Sequence, residues 1–124
     1  ASSFFQGGIT AYNIDQKVRH LDIDRSLGEA CNCVSSAIAE QMANGVVRLF
    51  RCEWGIAVTG YATPVPESGN RVYCHYAICH YGRVVAVDRI DLHNNEAEDA
   101  QLQFVNVILA KFAALCSRPV KTNR

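Results

Sequence analysis

The sequence predicts one α/β domain built in three layers, with helices packed on both faces of a mixed β-sheet. Segments with strand character alternate with segments of helical periodicity, in the order strand, helix, helix, strand, hairpin, helix. The chain has 124 residues, of which 49% are hydrophobic and 19% are charged, so it can bury one core but is too short for two domains. We therefore expect a single domain over residues 1–116 and a polar tail over residues 117–124.

The first half of the chain predicts one strand and two helices. Residues 9–12 are β-branched or aromatic and follow two glycines, which is typical of a short strand. Residues 15–21 predict one or two helical turns, and residues 22–33 predict an irregular connection. A second helix is expected after Ser35, a good N-cap residue, and Gly45 should weaken this helix without ending it. Its apolar face comprises Ile38, Met42, Val46, Leu49 and Phe50.

The second half of the chain predicts the remaining strands of the sheet. Residues 54–59 are almost wholly apolar, as in a strand covered on both faces, and a loop is expected to begin at Gly60. Residues 71–80 and 83–92 are separated by Tyr81-Gly82, and this pattern predicts an antiparallel hairpin.

The last helix is predicted to begin after Asn94 or Asn95, with an acidic first turn that complements the helix dipole. The acidic residues of that turn are Glu96, Glu98 and Asp99. Apolar residues three or four positions apart are expected to form the buried face, and they are Leu102, Val105, Leu109, Phe112 and Leu115.

Charge and hydropathy exclude two classes of partner. Twelve basic and twelve acidic side chains cancel, and neither sign forms a stripe that would neutralise a row of phosphates, so no nucleic-acid partner is expected. The most apolar stretch, residues 104–116, is too short to cross a bilayer and is interrupted by Asn106 and Lys111, so no membrane partner is expected. Six cysteines, most of them among aliphatic neighbours, favour reduced thiols and a cytoplasmic location.

Two Cys-His pairs within residues 73–81 form the pattern that most suggests a metal site. His75 and Cys79 would share one face of a strand and lie roughly 13 Å apart, at about 3.3 Å per residue. One tetrahedral zinc ion cannot bind both, and Cys31 and Cys33 are too close in sequence for the usual zinc pair. P-loop and dinucleotide-binding motifs are absent, so we predict neither a metal nor an organic cofactor.

Tyr12 and Lys17 are the most informative pair of reactive residues. Tyr12 ends the predicted first strand and Lys17 lies one turn into the next helix, so both side chains can converge on one point. A partly desolvated lysine can lose its proton near neutrality and act as a base, and a phenol can relay a proton. The pair suits amide hydrolysis by a serine nucleophile, although a tyrosine and a lysine at this spacing also occur as an ordinary surface pair.

Three sequence motifs follow one another along the chain: residues 2–17, residues 34–43 with Val34-Ser35 and Met42-Ala43, and residues 57–62 with A-V-T-G-Y-A. In this order they resemble the C-terminal domain family of CinA, the bacterial nicotinamide-nucleotide amidases. Residues 2–17, S-S-F-F-Q-G-G-I-T-A-Y-N-I-D-Q-K, resemble the family's S-S-x-F-x-G-G-x-x-x-Y-S-N-x-x-K. Val34-Ser35 and Met42-Ala43 resemble its V-S-x-x-x-A-x-x-M-A helix start, and residues 57–62, A-V-T-G-Y-A, resemble its A-V/I-T-G-I-A. The likeness spans essentially the whole chain and implies the fold of that family without its first strand and helix.

The resemblance implies an activity and a set of site residues. The activity is hydrolysis of the carboxamide of nicotinamide mononucleotide to nicotinic acid mononucleotide and ammonia, in pyridine-nucleotide salvage and without a metal. Lys17 would help to deprotonate a serine nucleophile, and Tyr12 would assist the proton relay. The resemblance assigns substrate contacts to Ser3, Gly8, Thr59, Gly60, Tyr61 and Ala62.

Three departures from the family pattern leave other functions open. First, the family's serine segment, T-A-E-S-C-T-G-G, lies upstream of the position of Ala1. Second, residues 63–69, which include Glu67, replace the family's G-P-x-G-G loop. Third, Asn94-Asn95-Glu96 replaces the family's G-D-R. One hypothesis is an amidase whose serine lies on upstream residues. The alternatives are a catalytically degenerate domain that binds a nucleotide or a protein, and a structural domain of a homo-oligomer in which a second subunit covers an exposed strand edge.

Overall fold

A computed structural model of the protein describes residues 5–93 and 99–117. Its elements, in chain order, are α1 (Ile14–Leu21), α2 (Arg25–Ala30), α3 (Ser36–Phe50), β1 (Trp54–Tyr61), a 3₁₀ turn (Pro66–Ser68), β2 (Val72–His80), β3 (Arg83–Leu92) and α4 (Ala100–Cys116). The α/β class predicted from the sequence is confirmed.

The three strands form one antiparallel sheet in the order β1-β2-β3. Ile78 of the central strand pairs with Ile56 of β1 and with Ala86 of β3. The predicted hairpin is confirmed, and Tyr81 and Gly82 have φ angles of 52° and 78°, the left-handed backbone that a type I′ hairpin turn requires. All strand pairs within the described residues are antiparallel, so the sheet there is antiparallel rather than mixed.

The strand predicted over residues 9–12 does not form. The segment is irregular, and the side chain of Tyr12 is 90% exposed. Strand propensity alone cannot hold a strand, because its backbone groups need a neighbouring strand to bond. Among the described residues, β1 pairs only with β2. Residues 9–12 therefore have no neighbouring strand with which to form backbone hydrogen bonds.

Side-chain caps begin the first three helices. Asn13 accepts a hydrogen bond of 3.0 Å from the backbone N–H of Gln16 at the start of α1. Ser35 accepts one of 3.1 Å from the N–H of Ile38, which confirms the cap predicted for α3. Asp24 caps α2 in the same way, inside a segment predicted to be irregular. Because α2 has only six residues, it is too short to show a helical period in the sequence.

Two apolar cores lie on opposite faces of the sheet and confirm the three-layer arrangement. The first joins α1 and α3 to the sheet, and its buried members are Leu21, Ile23, Cys33, Ile38, Ala39, Met42, Ala43, Ala57, Ala77 and Cys79. The second joins α4 to the sheet, and its buried members are Val72, Cys74, Tyr76, Ile78, Ala100, Phe104 and Ile108. All six cysteines are free thiols, of which Cys33, Cys74 and Cys79 are buried and Cys116 is exposed.

The buried face of α4 differs from the predicted one. Ala100, Phe104 and Ile108 are buried, and Phe112 and Leu115 pack against them. The other three predicted members are exposed, namely Leu102 at 58%, Val105 at 44% and Leu109 at 51%. The helix is apolar around most of its circumference, so periodicity alone could not identify the face that meets the sheet.

The start of α4 also departs from the prediction. Asp99 occupies the N-cap position with a left-handed backbone, φ 57°, and makes no side-chain cap. The predicted cap residues Asn94 and Asn95, and the acidic Glu96 and Glu98, lie outside the described residues.

β1 continues through Gly60 and Tyr61, where a loop was predicted. Gly60 pairs with Cys74, and a Cβ at Gly60 would collide with the backbone of Tyr73 and Cys74. A glycine therefore extends the strand here because it permits a close approach of two backbones. The predicted cover of β1 on both faces is incomplete, since Val58 is 41% exposed.

No helix within residues 5–93 and 99–117 combines the length and the apolar character needed to cross a bilayer. Over the same residues, no three His, Cys, Asp or Glu side chains form a group that could hold a metal ion. His75 and Cys79 lie on one face of β2, opposite Thr59 and Gly55 of β1.

Candidate functional site

Two clefts open beside the first turn of α1 and the carboxyl end of β1. The apolar cleft has a volume of about 620 Å³ and lies between residues 9–12, β1 and α4. The polar cleft has a volume of about 540 Å³ and lies between the start of α1, the connection from α2 to α3 and the end of β1. Tyr12, Lys17, Thr59 and Gly60 line both clefts.

Lys17 is held in the first turn of α1 by the cap of that helix. Its backbone N–H donates to the carbonyl of Asn13 at 3.0 Å. The side chain is half-buried and makes no hydrogen bond or ion pair with any described residue. The amine is therefore available to a ligand in either cleft.

Tyr12 lies immediately before the cap of α1 and projects into solvent at the mouth of the clefts. Tyr12 and Lys17 line the same two clefts, but no hydrogen bond joins their side chains. The two predicted catalytic residues thus line the same clefts, and their catalytic roles stay a prediction.

Thr59 ties β1 to the connection between α2 and α3. Its buried hydroxyl donates a hydrogen bond of 2.6 Å to the backbone carbonyl of Cys33. Because the hydroxyl proton is donated to this carbonyl, Thr59 joins two segments of the cleft wall and is not positioned as a nucleophile. Cys33 has a left-handed backbone, φ 59°, which turns its carbonyl toward β1.

The remaining predicted substrate contacts separate into three groups. Tyr61 lines the polar cleft and Ala62 lines the apolar cleft, since successive residues at a strand end project to opposite faces. Gly8 lines neither cleft, and a Cβ placed there would meet nothing within 4 Å. Ser3 lies outside the described residues.

Sequence reasoning missed several residues of the cleft walls. Glu29, Asn32 and Cys33 line the polar cleft from a segment predicted to be an irregular connection. Leu21, Met42, Val46, Ile56, Phe104 and Val105 line the apolar cleft. A helical or strand period identifies such residues only as apolar, because what they face depends on how the elements pack.

Cys33 lines the polar cleft and carries a thiol. Burial raises its pKa, and the positive charge of Lys17 lowers it by a smaller amount. The thiol is therefore held in its protonated form at neutral pH, and a protonated thiol is a poor nucleophile.

A sequence model of the CinA C-terminal domain matches residues 1–116. The chain belongs to the CinA C-terminal domain family. The match to this family and the α/β fold are in agreement with the resemblance carried by the three motifs.

Several known proteins are similar to this chain in sequence. A CinA-like protein of Synechocystis is 44% identical over 64 residues, which is 52% of this chain and 15% of that protein. Protein MG115 of Mycoplasma genitalium is 29% identical over 118 residues, 95% of this chain and 75% of that protein. The chain thus spans a small part of the cyanobacterial relative and most of the mycoplasmal one.

Solved structures of CinA proteins share the fold. A competence-damaged protein (CinA) superfamily protein from Escherichia coli matches with a TM-score of 0.75 at 22% identity, over 85% of this chain and 61% of that chain. The competence/damage inducible protein CihA from Agrobacterium tumefaciens matches with a TM-score of 0.71 at 24% identity, over 86% of this chain and 66% of that one. At these identities the likeness concerns the fold alone.

Proposed function

We propose that this CinA-family domain takes part in hydrolysis of the carboxamide of nicotinamide mononucleotide, with release of nicotinic acid mononucleotide and ammonia. Lys17 is the base and Tyr12 the proton relay in this proposal. The observation that carries it is the position of these two side chains on the walls of the same clefts, where the amine has no partner among the described residues.

The proposed reaction has two halves. A serine oxygen attacks the amide carbon while its proton passes to the Lys17 amine, and the Tyr12 phenol relays a proton to the departing nitrogen, which leaves as ammonia. Water then attacks the ester carbon, giving the acid and the free serine. The serine in this proposal belongs to the family's serine segment, which has no copy in the chain.

The surroundings of Lys17 suit such a base. Apolar side chains of the neighbouring cleft, among them Leu21 and Val46, reduce the water around the bound amide. In a site with little water, each charge interaction is stronger. Six free thiols suit a reducing compartment, so we place the reaction in the cytoplasm.

A catalytically degenerate binding domain is the second candidate. Among the described residues that line the two clefts, Lys17 and Glu29 are the charged ones, so these residues offer a single cation to a phosphate. Glu67, on the exposed 3₁₀ turn that replaces the glycine-rich loop, adds a charge that opposes phosphate. On this reading the domain binds a nucleotide or a protein without turnover.

A homo-oligomer is proposed in either case. Leu102, Val105 and Leu109 form an exposed apolar stripe on α4, and a helix that is apolar all round is normally buried. We propose that a second copy of the chain covers this stripe.

Ammonia release decides between the amidase and the binding domain. The full-length gene product is incubated with nicotinamide mononucleotide, and ammonia is measured by a coupled assay. Lys17→Ala should reduce the rate by at least about a hundredfold, since a general base contributes about 10² to 10⁴. Lys111→Ala is the matched control, because Lys111 is an exposed lysine on α4 that lines neither cleft. Absence of ammonia, or equal rates in both variants, would remove the amidase.

A further inference from the structure

Tyr61 forms one wall of the polar cleft, in company with Tyr12 and Lys17. It is the last residue of β1, and its side chain is half-buried. It stands where the family motif A-V/I-T-G-I-A has an aliphatic residue. The phenol ring is therefore a feature of this chain that the family motif does not supply.

Two contacts hold the Tyr61 ring in place. Asn32 donates a hydrogen bond of 2.9 Å from Nδ2 to the Tyr61 hydroxyl. The ring of Tyr73 packs against it edge to face, with 5.6 Å between centroids and 61° between planes. A ring fixed in this way loses little freedom when a ligand arrives, so it is preorganised to bind.

The ring of the neighbouring Tyr73 already contacts a cation, the side chain of Arg89. The guanidinium of Arg89 lies 3.9 Å from the centroid of the Tyr73 ring. Asp91 fixes that guanidinium through hydrogen bonds of 2.9, 3.0 and 3.1 Å. An aromatic face attracts a cation because its π electrons carry negative charge. Tyr61 offers the same chemistry to the cleft, whose described lining contains no arginine.

A carboxylate adds to the negative character of this wall. Glu29 lines the polar cleft, and its pair with Arg25 has an N–O distance of 3.9 Å between two exposed side chains. Such an exposed pair neutralises the carboxylate only weakly. The cleft thus offers a carboxylate and aromatic rings to a positive group.

We infer that Tyr61 makes the polar cleft selective for a cationic aromatic ring, a pyridinium, over the neutral dihydropyridine of the same size. The inference rests on the proposed function and names the form of its substrate. The ring of nicotinamide mononucleotide is a pyridinium cation because its nitrogen carries the ribose, and reduction to the dihydro form removes that charge. Tyr61 is a specificity residue and takes no part in proton transfer.

The test compares nicotinamide mononucleotide with its dihydro form, which keeps the ribose and phosphate but has an uncharged ring. Saturation-transfer NMR and titration calorimetry report binding without requiring hydrolysis. We expect the protein to bind the cationic form about three- to thirtyfold more tightly, the range of one cation–π contact. Tyr61→Leu should abolish the difference by weakening the cationic form alone, and Tyr61→Phe, which keeps the ring, should preserve most of it.

Tyr81→Leu is the matched control, because Tyr81 lies on the hairpin at the opposite end of the sheet and is 72% exposed. Equal affinity for the two forms, no binding of either at millimolar concentration, or an equal loss of both in Tyr61→Leu would overturn the inference. Circular dichroism checks the fold of each variant. Ammonia release is measured separately. Selective binding without ammonia release would refute the amidase and support this inference. Ammonia release without selective binding would support the amidase and refute this inference.

Discussion

The hydroxyl of Thr59 donates a 2.6 Å hydrogen bond to the backbone carbonyl of Cys33. This bond crosses from the end of β1 to the connection between α2 and α3, which are the two sides of the polar cleft. The width of that cleft therefore depends on a contact between residues 26 positions apart in the chain.

Thr59→Val is expected to destabilise the fold and to loosen the polar cleft. Valine has the shape of threonine but leaves the buried carbonyl without its donor, which costs about 1 to 3 kcal/mol in the free energy of unfolding. Urea denaturation measures this cost. Thr59→Ser keeps the hydroxyl and should retain most of the stability. Equal stability of the Val variant and the unaltered protein would show that the bond contributes nothing.

Gly45→Ala is expected to destabilise the protein, although alanine normally favours a helix interior over glycine by about 1 kcal/mol. Gly45 is buried in α3, and a Cβ there would collide with the backbone of Leu21 at the end of α1. Overpacking of this kind costs about 1 to 3 kcal/mol. It would also displace α1, which carries Lys17, so ligand binding should weaken as well.

The control for this substitution is Gly8→Ala, since a Cβ at Gly8 meets nothing within 4 Å. Thermal unfolding of the two variants gives the comparison. A melting temperature for Gly45→Ala at or above that of Gly8→Ala would contradict the close contact between α1 and α3.

Stability is expected to fall at alkaline pH because of buried thiols. Burial raises the pKa of the Cys74 thiol from 9.0 to about 12. Between these values the unfolded chain loses the thiol proton while the folded chain keeps it, so the free energy of unfolding decreases as pH rises. The slope from one such group is at most about 1.4 kcal/mol per pH unit.

Urea denaturation at a series of pH values between 8 and 11 tests this linkage. Cys74→Ala should flatten the decline, and Cys116→Ala, which removes an exposed thiol, should leave it unchanged. The same slope in all three proteins would assign the decline to other groups.

The exposed stripe of α4 is expected to drive self-association. Sedimentation equilibrium should give a mass above 13.7 kDa for the unaltered chain. Leu109→Lys places a charge in the stripe and should shift the equilibrium toward the monomer, because burying an unpaired charge is costly. Ala110→Lys, at an exposed position beside the stripe, should have little effect. A monomeric mass for the unaltered chain would refute the proposed dimer.

Local signals predicted much of the fold. Ser35 marked the start of α3 because a serine hydroxyl can accept from a free N–H at a helix start. Tyr81 and Gly82 marked the hairpin because glycine favours the left-handed backbone of its turn. The motif predicted Tyr12 and Lys17 as site residues; both line the same two clefts, and their roles stay a prediction.

Other features depended on contacts between distant segments. Residues 9–12 have strand propensity but no strand beside them, so they remain irregular. Leu109 and Ile108 are equally apolar, yet only Ile108 is buried, because the position of α4 on the sheet decides which one meets Tyr76 and Ile78.

The sequence by itself determined the α/β class and the family, and it predicted Tyr12 and Lys17 as a reactive pair, since each depends on residue type and local spacing. Only the tertiary structure decided that Thr59 bonds to Cys33 across the cleft wall and that Tyr61 lines the polar cleft in contact with Asn32. The tertiary structure also decided which face of α4 packs on the sheet. The physical reason is that hydrogen bonds and burial between distant segments depend on packing geometry, and no local period encodes that geometry.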